Sequence, residues 1–100
     1  MQRLTRSTTR VLVAFLEAPR SWRYGYELMK LAELSSGTLY PLLARLTENA
    51  WLEARWEESE LPGKPARQLY RLTATGRSEA RLALERAHAS WLRPPRPTEV

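Results

Sequence analysis

The chain has 100 residues, a formal net charge of +5 and a sequence pI near 10.2. It contains no cysteine, no aspartate and one histidine, His88, which excludes disulfides and thiol chemistry and nearly excludes zinc sites, His-based triads and carboxylate dyads containing Asp. The length suits one small domain whose core is thin enough for a second copy of the chain to complete it. No apolar run is long enough to cross a bilayer, and "MQRLTRSTTR" lacks a signal-peptide stretch, so a soluble, cytoplasmic protein is expected.

Residues 8–18, "TTRVLVAFLEA", place Val11, Leu12, Phe15 and Leu16 at helical spacing, with Ser7 or Thr8 as cap and Pro19 as stop. After a loop, "YELMKLAEL" reads as a short second helix burying Leu28, Leu31 and Ala32. Ser35 follows almost at once, so the link to the next helix is tight. That third helix carries a proline. Leu39, Leu42, Leu43 and Leu46 form one stripe, yet Pro41 interrupts it. With Ser35 as N-cap, serving the N–H of Gly37 or Thr38, Pro41 lies only two turns in. Its missing hydrogen bond falls on the carbonyl of Gly37, a residue whose backbone yields easily. Starting the helix at Pro41 would make Tyr40 the cap and strand Leu39, so the longer helix, running to about Asn49, is preferred.

"WLEARWE" alternates, with Leu52, Ala54 and Trp56 on one face, as a half-buried strand does. "ESELPGKPA" is turn chemistry. "RQLYRL" is a second strand with Gln68, Tyr70 and Leu72 on one face. Thr73 caps a last helix, residues 74–92, with Ala80, Leu84, Ala87, His88 and Trp91 along one stripe. "RPPRPTEV", residues 93–100, is expected to be a disordered tail.

Three helices, a strand hairpin and a last helix describe a mainly α fold with a small β-hairpin wing: a winged helix-turn-helix over residues 1–73 and a C-terminal helix over 74–92. Such folds commonly present the third helix to the DNA major groove. Fourteen of the sixteen cations are arginine, whose forked donors match phosphates and guanine edges. Opposite its leucine stripe the third helix offers Gly37, Pro41 and Ala44, flanked by Thr38, Tyr40 and Arg45. A solvent-facing helix would normally carry Glu and Lys there; small residues permit close approach to a groove. Tyr40 can reach a phosphate, and Arg45 a phosphate or a base edge. In the hairpin loop Lys64 and Arg67 bracket a Pro-Gly turn and suit the backbone or minor groove, with Arg71 further along the strand. Glu57, Glu58 and Glu60 temper that charge.

"YGYELMK", "SSGTLYPLLARL", "AWLEARWEE", "PGKPARQLYRLT" and the closing "TGR" resemble the PadR family of bacterial transcriptional regulators, from about residue 8 to residue 80. The resemblance implies a homodimeric repressor binding a palindromic operator in double-stranded DNA. It implies DNA contacts at Ser36, Thr38, Tyr40 and Pro41, supported by Tyr24, Lys64 and Arg67. It also implies a short-branch dimer interface of the last helix with the first, here Leu84, Ala87, His88 and Trp91 with Val11 and Phe15. Members respond to phenolic or other flat hydrophobic compounds, so a small aromatic or hydrophobic effector is a candidate partner, for which Trp22, Trp51, Trp56 and Trp91 offer stacking surfaces. Ala50 stands where a glycine is common in the family. No cofactor, metal or catalytic residue is expected. The competing function is a winged-helix adapter that binds protein and not specific DNA.

Overall fold

A computed structural model describes residues 4–92, with side chains to His88. The expected tail, residues 93–100, and the Trp91 side chain lie outside the described residues. The order of elements is α1 (Arg6–Leu16), β1 (Arg23–Tyr24), α2 (Gly25–Ala32), α3 (Ser36–Glu48), β2 (Leu52–Glu57), β3 (Arg67–Leu72) and α4 (Ala74–Leu92).

The first helix starts two residues before the sequence reading placed it. Thr5 is its cap, and its hydroxyl oxygen accepts the Thr8 N–H at 3.1 Å. Glu27 Oε1 accepts the Tyr24 N–H at 3.0 Å and so caps α2 from within. Glu33 closes that helix with φ 55°, and the Leu34 N–H returns to the Met29 carbonyl at 3.1 Å. Ser35 holds the N-cap position of α3 as expected, but its hydroxyl caps no N–H. The Ser35 carbonyl instead accepts from Thr38 and Leu39 at 3.2 and 2.9 Å. Pro41 lies inside α3, whose Leu39, Leu42, Leu43 and Leu46 are all buried.

Strands β2 and β3 pair antiparallel, from Leu52 opposite Leu72 to Glu57 opposite Arg67. The sheet has a third member that periodicity did not reveal: β1 pairs with β3, giving the order β1-β3-β2. Leu69, on the face opposite Gln68, Tyr70 and Leu72, is buried as well, flanked in register by Tyr24 and Arg55. Thr73 caps α4, accepting the Gly76 N–H at 2.9 Å. Its hydroxyl also donates to the Ala50 carbonyl at 2.6 Å, in the turn that ends α3. Any side chain at Gly76 would run into the Trp51 carbonyl, so α4 begins hard against that turn.

The core lies between α1, α2, α3 and the inner face of the sheet, with Leu12, Phe15, Leu28, Leu39, Leu43 and Leu72 fully enclosed. Three inward assignments fail. Leu31 is exposed on the outer side of α2, and Ala54 and Trp56 are exposed because the far end of the hairpin runs past the helices that would cover it. Val11 and Phe15 are enclosed in the chain's own core, which corrects their assignment to a dimer interface: no surface is left for a partner to touch. Among the described residues no helix is long and apolar enough to cross a membrane.

Candidate nucleic-acid interface

The start of α3 presents Ser36, Thr38, Tyr40 and Pro41 to solvent, with Arg45 two turns along. Tyr40 reaches back over α2. A Cβ on Gly25 would run into the Tyr40 hydroxyl, so Gly25 is what lets the ring lie there. Across from Tyr40 stands the base of the wing. Tyr24, last residue of β1 and N-cap of α2, donates its hydroxyl to Glu57 on β2, and the Arg67 guanidinium lies 4.7 Å from the centre of its ring. The Glu57 hydrogen bond holds the Tyr24 phenol above its ordinary pKa, with desolvation adding to it. Arg23 and Glu27 complete the cluster with a 3.3 Å ion pair.

Tyr24, Tyr40 and Arg67 therefore border one cleft of about 380 Å³ between the wing and the starts of α2 and α3. Lys64 lies with Arg67 on a second, shallower hollow of the wing. Arg45 is not gathered with them. It lines a separate hollow, also about 380 Å³, beside Leu42, Leu46 and Trp51 where α3 meets α1 and α4. Arg71 is engaged within the sheet. It pairs with Glu53 at 3.2 Å, and both Arg71 and Arg55 sit 4.4 Å from the centre of the Trp22 ring.

The sequence reading missed Gly25, Tyr26 and Gln68 and offered Trp56 only as a stacking surface for an effector; all four also line the wing cleft. The exposure of Trp56 was hidden because alternation names a face but not whether anything covers it. Glu57 was counted only as a charge tempering the wing, yet it anchors Tyr24 across 33 positions of sequence. On α4, Leu84 packs on the core, Ala87 is half-buried and His88 is exposed. No cluster of His, Cys, Asp or Glu that would hold a metal exists among the described residues.

The arrangement is a donor-rich, carboxylate-poor helix start beside a wing that carries Lys64 and Arg67, and the described residues hold no nucleophile–base pair. Solved structures share it as a fold. A PadR family transcriptional regulator from Eggerthella lenta is 32% identical, with a TM-score of 0.63 over 84% of this chain and 72% of that one. A PadR family regulator from Clostridium difficile is 22% identical, with a TM-score of 0.63 over 78% of this chain and 84% of that one. The smu.1704 protein of Streptococcus mutans is 18% identical, with a TM-score of 0.69 over 91% of this chain and 86% of that one. A search of curated proteins by sequence gave no match. The model of the transcriptional regulator PadR-like family matches residues 15–82, most of the chain and both sides of the cleft. The chain belongs to the PadR-like family of transcriptional regulators, a family of regulators and not of enzymes.

Proposed function

We propose that the protein is a cytoplasmic, homodimeric repressor that binds a palindromic operator in double-stranded DNA. The observation that carries this reading is the pairing, across one cleft, of an exposed and uncharged α3 start with the Arg67 cation of the wing. Ser36, Thr38, Tyr40 and Pro41 meet the groove, and Lys64 and Arg67 hold the flanking phosphates, with the Tyr24 ring seating the Arg67 guanidinium. The net charge of +5 supplies the attraction that brings the duplex in. Arg45 lies further along α3 and takes a phosphate at the margin. The dimer is built on α4, where Ala87 and His88 stand clear of the core and Leu82 is 41% exposed. The hollow beside Trp51 has the size of a small-ligand pocket and is the place for a hydrophobic effector.

The test is a titration of the protein against the DNA upstream of its own gene, at two salt concentrations, with a scrambled duplex as control. Preferential binding of the native duplex that partly survives the higher salt is the expected result. Failure to bind either duplex at low salt overturns the reading in favour of a protein-binding adapter.

A further inference from the structure

Trp56 is 65% exposed, at the end of a strand whose pattern points it inward. One exposed apolar side chain is ordinary. Trp56, however, is not alone: Tyr26 and Tyr40, 63% and 43% exposed, line the same cleft from α2 and α3. Three elements thus bring three large aromatic surfaces together and leave them uncovered. Among the described residues the charged side chain on the cleft wall is Arg67, and the carboxylate beside it, Glu57, is taken up by the Tyr24 hydroxyl. At the rim, Lys30 holds its ammonium 4.4 Å from the centre of the Tyr26 ring.

An occupant that uses both the aromatic faces and the Arg67 and Lys30 cations presents apolar surface alternating with negative charge. The backbone of a nucleic acid does so, with a deoxyribose between successive phosphates. A small uncharged aromatic molecule would find a better enclosure beside Trp51. We infer that the wing cleft seats one sugar–phosphate strand of duplex DNA, with the Trp56 indole packed on a deoxyribose while Arg67 and the Tyr40 hydroxyl hold the phosphates on either side. This rests on the reading of the protein as DNA-binding and adds to it a residue and a mode of contact. The seat grips backbone and reads no base, so it acts on any duplex.

Trp56→Ala and Arg67→Ala are compared with the unchanged protein by titrating a random-sequence duplex and its separated single strand across a range of salt. Trp56→Ala is expected to weaken duplex binding roughly five- to tenfold at every salt concentration, because an aromatic contact releases no counterion. Arg67→Ala is expected to lower the log–log salt slope by about 0.9, the share of one phosphate. Trp56→Phe keeps a flat face and restores most of the loss, and an unchanged unfolding midpoint shows that the exposed side chain was not holding the fold. Duplex binding by Trp56→Ala equal to that of the unchanged protein overturns the inference while leaving DNA binding intact. Tighter binding of the single strand than of the duplex, lost in Trp56→Ala, also overturns it, because the indole would then be stacking on bases. Absence of random-duplex binding by the unchanged protein at low salt overturns the seat, and the operator titration then decides the DNA reading separately.

Discussion

Gly25 and Tyr40 are a single device made of two residues. The glycine's missing side chain is the space in which the tyrosine hydroxyl rests. Gly25→Ala suits the first turn of a helix, so the fold holds, but Tyr40 has to swing away. DNA affinity is expected to fall about tenfold, and the same change made in a Tyr40→Ala background is expected to cost almost nothing; the non-additivity is the measurement. At Ala50 the backbone has φ 64°, a left-handed conformation that a Cβ resists. Ala50→Gly should therefore raise stability by about 0.5–1 kcal/mol, read from urea unfolding. Tyr24 has a pH signature. Its folded pKa is raised because Glu57 accepts a hydrogen bond from the neutral hydroxyl, so the link stabilises the wing base fully below the ordinary phenol value and is lost as pH rises through the raised one. Glu57→Gln removes the main cause, and alkaline titration of the tyrosines should then show Tyr24 moving back toward the others.

Helices with a leucine or alanine stripe were legible as elements. The α3 stripe, the proline within it and the Thr73 cap of α4 were all present in spacing and side-chain chemistry, and the structure retains each. What was not legible shares a physical cause. A two-residue strand such as β1 has no period, and it exists only because β3 offers it partners. The outward turn of Trp56 depends on where the helices stop, which no local pattern reports. The Tyr24–Glu57 bond and the Gly25–Tyr40 contact join segments distant in the chain, so of the site the residues were readable but their grouping was not. Arg45, chosen from its place on the helix wheel, shows the limit: the wheel gives a direction, and the neighbouring α4 decides what that direction faces. For the junction of α3 and α4, Thr73→Ala removes both the cap and the bond to Ala50. It should cost about 1–2 kcal/mol in thermal or urea unfolding, with Thr73→Ser recovering most of it.

On the scale of the whole molecule, the core takes in Val11 and Phe15, so the proposed dimer rests on the outer side of α4. Ala87→Glu places a charge there without touching the core. Sedimentation velocity is expected to show the dimer giving way to a monomer with an unchanged circular dichroism spectrum, and operator binding should fall with it because two half-sites no longer act together. The Thr73 hydroxyl gives this arrangement a metric. It fastens the first turn of α4 to the carbonyl just past α3, and the bare flank of Gly76 presses the same joint closed. In the proposed dimer joined through α4, this joint makes the two α3 helices the jaws of a caliper with one opening, and half-sites one helical turn apart ask for about 34 Å. An operator lengthened by one base pair at its centre falls outside that opening, whereas a changed base within a half-site merely meets one jaw badly.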